Sequence, residues 1–161
     1  MNALLVVRVI GLASTGLLAG IFVGYKAGPY HALRQVSSPV FVQFQRVVHE
    51  HYIRFMPPLL LAALLAAFTW LLLIRSQFGS VEFWLIAAST AGIAVIAVAT
   101  RAVNVPLNTR LMTWDATNPP ADLRAIWAPW DRVNTLRAFL SVAVLVMETL
   151  ALGLRASGTS L

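Results

Sequence analysis

The chain has 161 residues, is 59% hydrophobic and only 11% charged, and has a mean hydropathy of +0.78, which is too apolar for a water-soluble domain, where roughly a quarter of residues are charged. Its net charge of +6 comes from basic residues spread singly along loops and helix ends, so no clustered face suits a nucleic acid, and membrane phosphates are the partners these charges fit. The absence of cysteine excludes thiol–disulfide electron shuttling, thiolate-held iron–sulfur clusters and thiolate zinc sites.

The first apolar run, Leu4 to Gly24, is long enough to cross a hydrocarbon core of about 30 Å. No basic segment precedes it and Arg8 lies inside it, which favours a retained helix over a cleaved leader. Gly16, Gly20 and Gly24 repeat every fourth residue and form a stripe for close packing, either within the chain or as a homodimer seam. Tyr25 to Phe55 is too polar to span. Ser38 before Pro39 reads as a helix start. Phe41, Phe44, Val48, Tyr52 and Phe55 then form an apolar stripe opposite Gln43, Arg46, Glu50 and Arg54. This pattern predicts an amphipathic interfacial helix over about 39–55, lying on or projecting from the membrane and placed to act as a lid.

Met56, Pro57 and Pro58 punctuate the chain before a second span, about 57–75. The turn Arg75 to Ser80 is short, so the third span, about 81–103, is its antiparallel neighbour. A polar loop over about 104–130 follows, with Asn118, Pro119 and Pro120 as its breaker and with Asp115, Asp122 and Asp131 set against Arg110, Arg124 and Arg132 as local ion pairs. The last span covers about 134–154, and Ala156 to Leu161 form a small polar tail. The fold class is therefore all-α: one domain, 1–161, an integral membrane four-helix bundle with an amphipathic interfacial helix between the first and second spans. The localisation expected is multi-pass in the cell membrane. Nine basic residues fall on the side of the two long connections and three on the other, which by the positive-inside tendency puts the long connections in the cytoplasm and both termini outside.

The polar residues that remain concentrate between Arg101 and Arg137. At about 100° per residue, Arg101, Asn104 and Asn108 share one helical face, and Trp130, Asn134 and Arg137 share another. Where two such faces meet at a membrane boundary they form a polar pocket. The pattern Asn104-x-Pro106-x-Asn108, then Trp114, then Trp127-x-x-Trp130-x-x-x-Asn134-x-x-Arg137 resembles the anthrone oxygenase-like family of small membrane proteins. The resemblance covers nearly the whole chain and implies four membrane helices. It also implies an oxidoreductase chemistry in which polyketide anthrones become anthraquinones with molecular oxygen and no established cofactor.

Under that resemblance Arg137 and Arg101 stabilise a developing oxyanion with help from Asn104, Asn108 and Asn134, and His49 or His51 is the base. Trp114, Trp127 and Trp130 stack on a flat substrate. Each group has a plainer reading beside this one: the asparagines as helix caps near Pro106, the tryptophans as an interfacial belt, the arginines as snorkelling anchors. His49 and His51 point about 200° apart on a helix, which makes them a poor metal pair, and no metal is expected. The alternative class is a non-enzymatic membrane module that binds a lipid or quinone head group, or a small subunit of a larger complex. Finally, Arg8 and Glu148 are the charges deepest in apolar runs, and antiparallel first and fourth helices set them at similar depth. Because an unpaired intramembrane charge is expensive, the two are expected to form a structural ion pair, with Glu148 on an inward polar stripe beside Asn134, Arg137 and Ser141.

Overall fold

The computed structural model describes residues 2–156, so all of the expected polar tail after Ala156 lies outside the described residues. Helix α1 (Ala3–Ala27) starts on the side chain of Asn2, which accepts from the Leu4 N–H at 3.0 Å. It ends at Gly28 and passes into the short α2 (Pro29–Leu33). Helix α3 (Ser38–Leu73) follows, then a single 3-10 turn, Arg75–Gln77. Gly79, at φ 97°, supplies the left-handed residue that closes the turn, and Ser80 caps α4 (Val81–Ala99) through the Phe83 N–H. A π-helical turn, Thr100–Asn104, joins α4 to α5 (Val105–Met112), and α6 (Leu123–Ala156) completes the chain.

Among the described residues four helical stretches are long and apolar enough to cross a membrane: Ala3–Leu33, Ser38–Leu73, Val81–Met112 and Leu123–Leu154. The protein is an all-helical membrane protein. α1 packs on α3 and α6, and α4 packs on the same two, so the helices close a four-membered ring. Large apolar side chains on its outside, among them Val98 and Phe139, are exposed in the way lipid-facing residues are.

Two expected boundaries differ. Pro57 and Pro58 cannot donate to the carbonyls of Ile53 and Arg54, yet α3 runs through them unbroken, so the segment about 39–55 is the first half of the second spanning helix rather than a separate interfacial one. Its buried face also differs from the expected stripe: Phe41, Val42 and Gln45 are buried, whereas Phe44, Tyr52 and Phe55 are exposed. Neighbouring helices, not the helix's own amphipathicity, decide which face turns inward. The expected polar loop is likewise mostly helical, since α5 and the first two turns of α6 occupy all but 113–122.

At 1.5 Å per residue, the 36 residues of α3 and 34 of α6 reach about 50 Å, well beyond a hydrocarbon core of about 30 Å. Their N-terminal ends lie on the same side, so both project there, and with α2 and α5 they enclose a cluster of Leu33, Phe41, Val42, Leu111, Trp114, Leu123 and Trp127. A second cluster inside the ring includes Leu18, Phe22, Ala67, Ile93, Ile96 and Val144. A third, around Trp70, Ile74, Ile86 and Ala151, fills the opposite end. In the middle the backbones run close: a Cβ on Gly92 would stand 2.8 Å from a Val144 methyl. Gly16 faces Leu145, while Gly20 and Gly24 have open space beside them.

Arg8 pairs with Glu82 in the first turn of α4, not with Glu148. Trp70 donates to the same carboxylate oxygen at 3.3 Å and lies under the Arg8 guanidinium, 5.1 Å from ring centre to carbon. Glu148 is fully buried against Thr15, seven residues further along α1. The reason is depth: Glu148 is level with Thr15, about two helical turns along α1 from Arg8, whereas Glu82 opens α4 at the level of Arg8. The inward polar stripe of α6 is present, with Asn134, Arg137, Ser141 and Glu148 all buried.

Candidate functional site

A cavity of about 310 Å³ lies where the ring of spanning helices meets the projecting cluster. Volumes of about 300–1,000 Å³ are usual for small-molecule sites, so this one suits a single compact ligand. Four elements build its wall. α1 contributes Phe22 and Tyr25, α3 contributes Gln45, His49, Tyr52, Ile53 and Met56, the α4–α5 junction contributes Thr100, Arg101 and Asn108, and α6 contributes Trp127, Trp130, Asn134 and Arg137. The α3 residues fall at spacings of three and four, one helical face.

The π turn determines what the junction presents. Pro106 has no N–H, and ahead of it the Val105 N–H bonds to Thr100 O, five residues back instead of four. The inserted register leaves Asn104 buried, donating through Nδ2 to the Trp130 carbonyl at 3.4 Å, and sets Asn108 to accept from Trp130 Nε1 at 2.8 Å. Trp130 is thereby held at both its backbone and its ring. It stacks on Trp127, with centroids 5.0 Å apart and planes 22° from parallel, and it meets Tyr25 edge-on at 5.4 Å.

Arg137 is the buried cation of this wall. Its Nη2 donates to Asn134 Oδ1 at 2.6 Å and its Nη1 to Thr100 Oγ1 at 3.3 Å. The guanidinium lies over the rings of Phe22 and Trp130 at 4.6 and 5.5 Å. Among the described residues no carboxylate forms a salt bridge with it. Three buried donors of wall residues, Arg137 Nε, Asn134 Nδ2 and Trp127 Nε1, have no hydrogen-bond partner among the described residues. Buried polar groups are normally satisfied. A wall with three spare donors, one of them on a cation, and with aromatic faces beside them is complementary to a flat, acceptor-rich, anionic molecule.

The sequence-derived site residues divide accordingly. Arg137, Asn134, Trp127, Trp130, Asn108 and His49 are brought together in the cavity, and Arg101 stands exposed at its rim. Asn104 supports Trp130 from behind. Trp114 is buried in the projecting cluster, edge-on to Trp127 at 6.3 Å, and does not reach the cavity. His51 is exposed, with Nδ1 2.8 Å from the Val47 carbonyl, and also lies outside it. The expected ion pairs of the connecting segment do not form a salt bridge among the described residues. Asp115 accepts from the N–H and hydroxyl of Thr117, both at 2.8 Å, and these bonds hold its carboxyl below the usual range. Arg124 donates to Val36 O and lies over Phe41. Among the described residues no group of three His, Asp or Glu gathers to hold a metal ion.

Sequence reasoning missed Phe22, Tyr25, Gln45 and Thr100. Gln45 carried a usable signal, since it lies four residues before His49 on the same face. Tyr25 carried none, because it comes from a separate helix.

Residues 44–147 match a family model described as anthrone oxygenase. No curated protein and no solved structure matches the chain. The match takes in the cavity residues of α3 through α6 and stops short of those on α1.

Proposed function

The chain belongs to the anthrone oxygenase family, and from that premise we propose that it oxygenates a lipophilic phenolic or polycyclic ketone with molecular oxygen in the Arg137 cavity. The observation that carries this reading is the set of spare buried donors around an arginine that, among the described residues, forms no salt bridge with a carboxylate. An anthrone has an acidic CH2 conjugated to a carbonyl through two aromatic rings. When His49 removes a proton, the charge moves to the carbonyl oxygen, and the spare donors of Arg137, Asn134 and Trp127 stabilise that oxyanion. The electron-rich anion passes one electron to O2, and the resulting radical and superoxide combine into a C–O bond; protonation gives a hydroperoxide. Loss of water then leaves a carbonyl, so CH2 and O2 become C=O and H2O. Trp130 supplies the ring face on which the substrate lies.

Arg101 at the rim meets a substrate arriving from the membrane interface. The same groups can donate to the carbonyls of the quinone product, so a quinone-binding module without chemistry would use this cavity too. Oxygen uptake and anthraquinone formation from anthrone, measured with detergent-purified protein and with an Arg137→Ala control, separate the two. The oxygenase reading expects a wild-type rate far above the variant's. Equal rates would remove it for this substrate class.

A further inference from the structure

The Tyr25 hydroxyl is a further group on the cavity wall with a proton to give, and a buried side chain holds it in a defined direction. Gln45 is buried, and its Nε2 donates to Tyr25 Oη at 3.0 Å. Because the phenolic oxygen accepts there, its own proton must leave along another direction. Among the described residues no partner takes that proton. Both side chains line the cavity. Tyr25 and the Arg137 guanidinium both lie against the Trp130 ring, at 5.4 and 5.5 Å, and Tyr25 interacts electrostatically with Asp131 and, more weakly, with Arg137. Burial makes the Gln45 amide dependent on this bond, so the orientation is fixed rather than incidental.

We propose that Tyr25 is a catalytic acid of this site and that Gln45 is the residue that positions it. The inference rests on the oxygenase reading. Its place is the last step, where the hydroperoxide collapses. His49 takes the remaining proton from the carbon, the C–H electron pair becomes the second bond of the new carbonyl, and the O–O bond breaks. The departing hydroxide takes the Tyr25 proton and leaves as water. Tyr25 then regains a proton from the protonated base, which returns both groups to their starting state. Without an acid the leaving group is hydroxide in an apolar cavity, and the step stalls at the peroxide.

The test is the partition between quinone and hydroperoxide when anthrone is the probe, read by chromatography under single-turnover conditions. Tyr25→Phe keeps the ring contact with Trp130 and removes the proton, so KM stays within about twofold while quinone formation slows by roughly 100-fold, the usual scale for a lost general acid, and hydroperoxide accumulates. Gln45→Glu keeps the shape but turns the donor into an acceptor that captures the Tyr25 proton, so it gives the same partition with Tyr25 intact. A role confined to packing would lower stability or substrate affinity without moving that partition. If wild-type protein turns over and both variants yield quinone without excess hydroperoxide, the inference is overturned and the oxygenase reading stands. If wild-type protein does not oxidise anthrone, both fall together. Should Tyr25→Phe fail to fold, Gln45→Glu alone decides.

Discussion

The bundle holds an arginine of low exposure near each end, and the two are treated oppositely. Arg8 meets a carboxylate, Glu82, with Trp70 closing over both, and the charge is neutralised within the protein. Among the described residues Arg137 meets neutral acceptors, Asn134 and Thr100, and two aromatic faces. Placing a guanidinium inside a membrane bundle is expensive in either case. At the Arg8 end the cost is offset by a permanent partner and the surroundings are packed shut. At the Arg137 end no salt bridge offsets it among the described residues, and the surroundings are a cavity, which the proposed function fills with a visiting anion. A charge with a partner is architecture, and a charge without one among the described residues, beside an empty volume, is what the proposed binding site rests on.

If that contrast holds, activity and stability should respond in opposite ways to the two arginines. Arg137→Ala is expected to lower turnover by about 10²–10³-fold, as loss of an oxyanion donor does, with little change in thermal stability. Arg8→Ala should leave turnover near wild type and destabilise the protein in detergent, because it strands Glu82; breaking a buried pair typically costs about 3–5 kcal/mol. An Arg8→Ala protein that melts normally but has lost activity would reverse the assignment.

His49→Ala should slow turnover by about 10²-fold, whereas His51→Ala, outside the cavity, should leave it unchanged. Equal losses would show that the α3 face turned toward the cavity has been misassigned.

Melting temperatures of combined variants sharpen the other end. Arg8→Ala and Glu82→Ala should together destabilise less than the sum of the singles, while Arg8→Ala and Glu148→Ala should add, because Glu148 lies a different distance down the bundle. Coupling with Glu148 in place of Glu82 would contradict the arrangement. The smallest effect belongs to the glycines: Gly92→Ala drives a methyl against Val144 and should cost about 1–3 kcal/mol, and Gly20→Ala, with open space beside it, should be close to neutral.

Much of this was legible in the sequence where a single helix carried the information. The four apolar runs marked the spans, and the spacing of Trp130, Asn134 and Arg137 put them on one face because all three belong to α6. What depended on two helices was not legible. Arg8 has two glutamates within reach of a sequence argument, and only the offset between α1, α4 and α6 chooses Glu82. Tyr25 and Gln45 meet because α1 and α3 pack together, a pairing no local pattern records. Pro57 and Pro58 suggested a break since proline removes helical hydrogen bonds, and packing of the projecting half against α6 and α5 overrode that local preference. The π turn before Pro106 was equally hidden, though it sets the direction of both Asn104 and Asn108.

The proposed function requires the spare donors around Arg137 to receive the oxygen of a flat aromatic anion. A structure of the protein with a bound hydroxyanthraquinone tests it most directly. The expected result is the ring system against Trp130, with one oxygen within hydrogen-bonding distance of Arg137 and Asn134. A ligand seated elsewhere, or an Arg137 side chain turned to a protein carboxylate with the cavity collapsed, would contradict it.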